Sequence, residues 1–113
     1  MTDSIFTRII NRELPADIVY EDELCVAFRD IQPKAEMHIL VVPKKPIARL
    51  VDAEPEDQAL LGHLMLCAGK VANQQGYGDA FSLAVNNGEE AGQTVFHLHL
   101  HILGGCTFKL LPE

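Results

Sequence analysis

The chain has 113 residues, 48% of them hydrophobic and 22% charged, enough for a single domain over residues 1–113 with its own core. Nine basic against sixteen acidic residues give a formal net charge of −7, which opposes adhesion to nucleic acid or an anionic membrane but leaves room for a small phosphorylated ligand held by local donors. Cys25, Cys67 and Cys106 are odd in number, far apart and without C-x-x-C spacing, which argues against a disulfide framework or a cysteine-built zinc site.

Asp3 or Ser4 can cap a short helix with Ile5, Phe6, Ile9 and Ile10 on one side, ended by Leu14-Pro15. Arg8, Asn11, Arg12 and Glu13 interrupt its apolar residues, so it does not read as a secretory segment, and no apolar run approaches the ~20 residues that span a bilayer. The expected location is cytoplasmic. Ile18–Tyr20 and Cys25–Phe28 read as a hairpin around Glu21-Asp22-Glu23, and the stretch from Asp30 to Glu36 reads as a loop. His38–Val42 reads as a buried strand closed by Pro43-Lys44-Lys45-Pro46.

Leu61, Leu64, Met65, Ala68, Val71 and Ala72 recur at the spacing of a long amphipathic helix. Glu54, Glu56 and Asp57 suit its N-terminal dipole, Pro55 its first turn and Gly76 its end. Leu60, Leu66 and Cys67 widen the apolar surface, and Gly62 and Gly69 permit close approach of another element, so the face reads as core packing or as a homodimer seam. His63, on the polar side, reads as surface decoration. A strand over Phe81–Val85 and a loop over Asn86–Gly92 lead to a last strand, Val95–Leu103, stopped by Gly104-Gly105.

That last strand carries His97, His99 and His101 at period two, with Leu98, Leu100 and Ile102 between them. Period two puts the three imidazoles on one face, roughly 7 Å apart, close enough to serve one small anionic group. Two chemistries compete. Two imidazoles and a third ligand can hold zinc with an open position for water; or one neutral imidazole attacks phosphorus while the others hold phosphate oxygens and manage protons. The bland reading is a solvated histidine face. Gly88, Gly92, Gln93 and Thr94 just upstream offer backbone amides, a side-chain amide and a hydroxyl, the makings of an anion nest.

The run from Gly92 to Gly105 resembles the signature of the histidine triad (HIT) superfamily, His-φ-His-φ-His-φ-φ with φ apolar. Ser4–Ile10, Ala27–Ile31 and His38–Lys45 match as well, so the resemblance covers nearly the whole chain. The third histidine sets the chain apart from the nucleotidylyltransferase branch. The Gly104-Gly105 ending is similar to the Hint branch of purine nucleoside phosphoramidases rather than to the dinucleoside polyphosphate hydrolases, which usually continue with Pro-Arg.

The resemblance implies an α+β fold, a five-stranded antiparallel sheet with one long and one short helix, in a homodimer whose two sheets join. It implies a hydrolase of purine nucleoside 5′-monophosphate derivatives, favouring phosphoramidates, which forms a covalent nucleotidyl-histidine and releases AMP or GMP with no cofactor or metal. Carried onto this chain, His99 is the nucleophile, His101 contacts the phosphoryl oxygens, and His97 and His38 form the hydrogen-bonded support. Thr94, Asn86 and the Gly92 amide stabilise charge on phosphate, with Gln93 beside them. Asp30 accepts the ribose hydroxyls, while Ile5, Phe6, Ile9, Phe28, Ile31 and Leu40 enclose the base. Dinucleoside polyphosphate hydrolysis, and nucleotide binding with incidental catalysis, are the rival functions. The chain departs from the pattern at Thr94 (commonly serine), at Met37 (commonly small and polar) and in a tail, Cys106 to Glu113, that lacks the tryptophan of some relatives; leaving-group preference transfers least.

Overall fold

A computed structural model describes residues 4–106; the Asp3 capping option and the tail from Thr107 onward lie outside these residues. Helix α1 spans Ile5–Ile10, and Ser4 caps it by accepting a 3.0 Å bond from the Thr7 amide. It ends earlier than Leu14-Pro15 implies: Asn11 is the C-cap, and Arg12 takes the left-handed conformation at φ 63°. Strands β1 (Ile18–Glu21) and β2 (Cys25–Arg29) form the expected hairpin, and β3 spans Met37–Pro43. Helix α2 covers Gln58–Gln74 and follows a short 3-10 turn, Pro55–Asp57. Glu54 and Asp57 make a reciprocal capping box there, so these acids close hydrogen bonds as well as facing the helix dipole. At the other end the Tyr77 amide bonds to the Ala72 carbonyl at 2.9 Å and the Gly76 amide to the Asn73 carbonyl at 3.1 Å, the double closure expected where Gly76 ends a helix.

Strands β4 (Ser82–Ala84) and β5 (Leu100–Gly104) complete a five-stranded antiparallel sheet in the order β1-β2-β3-β5-β4. Because side chains alternate across a strand, the sheet separates two apolar cores. Cys25, Ala27, Ile39, Val41, Leu100 and Ile102 pack with Leu64, Ala68 and Val71 of α2 on one face. Val26, Phe28, Leu40 and Val42 pack with Phe6 and Ile9 of α1 on the other. Leu64 has no exposed surface, so Leu64→Ala is expected to cost about 2–5 kcal/mol, a large share of a typical domain's stability. A fall in the urea midpoint at unchanged m-value measures it; a midpoint within error of the parent contradicts the packing described.

Three expectations need correction. The last strand was expected from Val95, yet ladder pairing with β3 begins at Leu100, opposite Val41. β3 ends at Pro43, which has no N–H to extend the ladder, and its carbonyl instead receives the His97 side chain at 2.8 Å. The Leu98 amide bonds to Ile47 at 2.6 Å, and Leu98 still enters the α2-side core, so the period-two alternation continues ahead of regular pairing. Gly62 and Gly69 meet nothing within 4 Å of an added Cβ, so no element of the described chain exploits them. Close approach is served at other glycines, among them Gly104, where a Cβ would come within 2.7 Å of the Tyr77 ring and 2.9 Å of Met37 Cε. Finally, His63 is not decoration: its Nε2 lies 2.7 Å from Asp22 Oδ2 and ties α2 to the β1–β2 turn.

Candidate active site

An open cleft of about 740 Å³ lies on the α1 face of the sheet. It is walled by His38, His99 and His101, by Asp30 and Ile31, by Ile5, Phe6, Ile9, Phe28 and Leu40, and by Asn86, Gly92 and Thr94. Residues from five separate stretches of the chain therefore converge there. His38 and Leu40 point the same way along β3, and β3–β5 pairing sets Leu40 opposite His101 and His38 opposite Leu103. Diagonal placement brings His38 Nε2 to 2.9 Å from His101 Nδ1.

Fixed backbone partners assign the proton on each ring. The His97 carbonyl lies 2.7 Å from His99 Nδ1, so that nitrogen carries the proton and donates it, leaving the Nε2 lone pair free. The Lys34 amide donates to His38 Nδ1 at 3.0 Å; His38 therefore carries its proton on Nε2 and gives it to His101 Nδ1. His101 is left with its own proton on Nε2. His97 donates Nε2–H to Pro43, and its Nδ1 faces the hydroxyls of Ser4 at 3.1 Å and Thr7 at 3.2 Å. The result is one bare imidazole nitrogen on His99 next to a ring, His101, whose free nitrogen is a donor. The two rings are 4.9 Å apart between centroids, and Phe6 meets His99 edge-on at 4.9 Å.

Burial lowers the basicity of all four imidazoles. His99 is pushed below the usual 6.5, first by loss of water, with the His97 carbonyl pulling the other way. His101 is lowered to about 4 by burial and then by the neighbouring His99 and His38. His38 and His97 are lowered chiefly by burial as well. Neutral rings at pH 7 are what nucleophilic attack requires.

The row of three is thus divided in space. His97 is 1% exposed and lies behind the cleft wall, where it acts on His99 through its carbonyl rather than its ring. Gln93 also does not face the cleft. It is 2% exposed, accepts from the Gly88 amide at 2.8 Å, and donates to the Ala48 and Val95 carbonyls at 2.8 and 3.0 Å. With all its polar atoms bonded inward, it braces the loop and does not meet a nucleotide.

The expected nest of loop amides is likewise closed. A 3-10 turn over Glu89–Ala91 leads the Gly92 amide to Glu89 O at 3.0 Å and the Gln93 amide to Gly88 O at 3.0 Å. Gly92 is needed for its left-handed φ of 97°, and Asn86 anchors the turn by donating to the Ala91 carbonyl at 2.8 Å. Cleft donors on this side are therefore side chains, Thr94 and Asn86, more than a backbone cradle.

On the nucleoside side Asp30 Oδ1 accepts the Gln32 amide at 2.8 Å, while Oδ2 lies 3.5 Å from His38 Nε2. Ile31 is 91% exposed at the rim, an apolar surface that a planar base can cover. Lys34 was not anticipated, yet its amide sets the His38 tautomer. The available signal was its position in the loop that delivers His38 to the start of β3.

The ligating atoms of Asp30, His38 and His101 lie within 4.8 Å of one another, so a metal there has to be considered. The Lys34 amide keeps the His38 proton on Nε2, the atom such an ion would need, and that proton already bonds to His101. The geometry favours a proton relay at this position over coordination.

Comparison with known proteins gives concordant findings. A family model described as HIT domain matches residues 11–108. An uncharacterized HIT-like protein of Synechocystis sp. is 61% identical over 110 residues, covering 97% of this chain and 96% of that one. A second uncharacterized HIT-like protein, from Synechococcus elongatus, is 57% identical over 110 residues with the same coverage, 97% and 96%. Among solved structures, a HIT family hydrolase from Legionella pneumophila Philadelphia 1 superposes with a TM-score of 0.93 at 38% identity, covering 98% of this chain and 100% of that one. A HIT family hydrolase from Clostridium thermocellum gives 0.92 at 41% identity, covering 98% and 99%.

Proposed function

The chain belongs to the HIT domain family, and from that premise we propose that it hydrolyses purine nucleoside 5′-monophosphate derivatives, favouring phosphoramidates, without a metal or other cofactor. The observation that carries this reading is the bare His99 Nε2 in the cleft beside the donor nitrogen of His101. An anionic phosphate entering the cleft favours uptake of a solvent proton at His101 Nδ1, with the His38 Nε2–H turning to Asp30 Oδ2, 3.5 Å away, so substrate binding itself supplies the acid. His99 Nε2 attacks phosphorus and the P–N bond breaks. The His101 Nε2 proton passes to the departing amine. Water then attacks the phosphorus held on His99, gives its proton to His101, and releases AMP or GMP with both imidazoles restored.

Thr94 and Asn86 contact the phosphate, Asp30 the ribose hydroxyls, and Phe6, Ile9, Phe28, Leu40, Ile5 and Ile31 the base. His38 holds His101 in its reactive tautomer, and His97 does the same for His99. A P–N bond suits the site because protonation turns the amine into a ready leaving group.

Two further parts of the reading concern setting. A homodimer joining the two sheets is supported by the short edge strand β4 and by Met65 and Leu66, 56% and 78% exposed on the outer side of α2. A cytoplasmic location is supported by the free thiols of Cys25, Cys67 and Cys106; among the described residues no helix is long and apolar enough to cross a membrane.

Rapid quenching during turnover of an adenosine phosphoramidate, followed by peptide mapping, tests the mechanism. The expected result is adenylate bound to His99, undiminished by EDTA, with the phosphoramidate turned over faster than a diadenosine polyphosphate. Adenylate on a different residue, loss of activity on chelation, or the reverse substrate order each contradicts it.

A further inference from the structure

On the opposite face of the sheet, away from the cleft, the β1–β2 turn and the middle of α2 bring together a second set of ligating side chains. The ligand atoms of Asp22, Cys25 and His63 lie within 4.8 Å of one another, and Cys67 Sγ is 3.6 Å from Cys25 Sγ. Two cysteines that are 42 positions apart in the chain are thus neighbours, with a histidine and a carboxylate beside them. Their spacing has a definite form: Asp22-x-x-Cys25 comes from a tight turn, and His63-x-x-x-Cys67 from one face of a helix, a single turn apart. Paired ligands with two residues between them on a turn and three between them on a helix are how small tetrahedral zinc sites are assembled.

The geometry points to a divalent transition-metal site, of the kind zinc occupies, held by Asp22, Cys25 and His63 with Cys67 as the fourth ligand. The donor set, two sulfurs, one imidazole and one carboxylate, suits zinc rather than calcium or magnesium, which take oxygen. The carboxylate is already oriented. Asp22 Oδ1 accepts the Leu24 and Cys25 amides at 2.8 and 2.9 Å, and the Tyr20 hydroxyl bonds to Oδ2 at 2.8 Å.

His63 Nε2 donates its proton to Asp22 Oδ2 across 2.7 Å. Donors around zinc stand slightly further apart, so binding opens this pair by roughly half an ångström. The His63 Nε2 proton and both thiol protons leave to solvent, and the freed lone pairs bind the metal, so affinity rises with pH. Cys25 has no exposed surface and Cys67 is 3% exposed, whereas Asp22 and His63 are half-buried at the rim; four protein ligands leave no open position for water, so the site is structural. Its effect is to fasten the hairpin to α2, and it takes no part in the hydrolysis proposed for the cleft.

Cobalt(II) titration of the full chain carrying C106S, which removes the exposed third thiol, tests the site. The expected result is one bound ion with a thiolate-to-cobalt charge-transfer band, a rise in melting temperature, and displacement of the band by zinc. The Asp30–His38–His101 cluster contains no sulfur, so the band reports this site alone, and it should persist in H101A. It should vanish in H63Q, D22N and C25S, and weaken in C67A. H63Q and D22N remain informative if C25S fails to fold. Absence of the band, or its survival in folded H63Q or D22N, overturns the site; an unchanged band in C67A overturns the fourth ligand. Hydrolysis, measured on metal-free protein, bears only on the cleft, so either proposal can fail without the other.

Discussion

Replacing His99 by asparagine is expected to lower kcat on an adenosine phosphoramidate by on the order of 10^4-fold or more, with the fold intact. The size of the effect follows from covalency. If His99 only bound phosphate, its loss would weaken affinity and leave the remaining chemistry in place. As the attacking atom, it has no substitute in the cleft, because His38 Nε2 and His101 Nδ1 face each other and His97 is turned away behind the wall. Asparagine is smaller and neutral, and Phe6 limits collapse around it through its edge contact with the ring. The expected pattern is a lost kcat, near-normal AMP binding and no trapped nucleotide. Turnover within tenfold of the parent at equal folded fraction rules out nucleophilic attack by His99.

The second large effect concerns His38 and His101 as a unit. His101→Ala is expected to lower kcat by about 10^2- to 10^4-fold, the range of a lost acid–base group. His38→Ala should cost less, because it removes only the partner that holds the tautomer. Since the two rings share one hydrogen bond of 2.9 Å, the double variant should be little worse than His101→Ala alone. Additive losses would show that the two act separately.

The pH dependence has a determined sign. His99 is held below 6.5 by burial and His101 sits at about 4, so both stay neutral as pH falls through the range where a free imidazole protonates. The acid limb of kcat/KM therefore lies below 6.5. Stability moves the same way: between 6.5 and about 4 the unfolded chain binds a proton at position 101 that the folded chain refuses, so stability is full above 6.5 and declines as pH falls. Urea midpoints measured across that window should depend less on pH in His101→Ala than in the parent. Equal pH dependence would show that the ring is not held neutral by the fold.

Much of this arrangement is legible in the sequence because it depends on periodicity. Alternation at Leu98, Leu100 and Ile102 assigns the aliphatics to one core and the imidazoles to the other side, and the 3.6-residue recurrence through Leu64, Ala68, Val71 and Ala72 sets the buried face of α2, although Met65 of the same series lies exposed at its outer edge. What escaped depends on partners distant in the chain. Nothing near His97 says that Pro43, 54 positions earlier, takes its Nε2 proton and stops the ladder. Glycines around Gln93 suggest open amides, but the turn over Glu89–Ala91 uses those amides itself. A histidine on the polar side of a helix reads as solvated until Asp22 arrives from a hairpin turn 41 positions away.

The sheet that separates the two cores also divides the chain's evolutionary freedom. Within five residues of β5, Leu100 and Ile102 answer to α2, whereas His101 answers to the cleft. A lineage can therefore rebuild the packing beneath the sheet by compensating changes in α2 without altering the proton assignments above it. Equally, it can reshape the pocket rim around Ile31 for a different base while the buried half stays unchanged. Each such strand answers to two separate sets of constraints, interleaved one residue at a time.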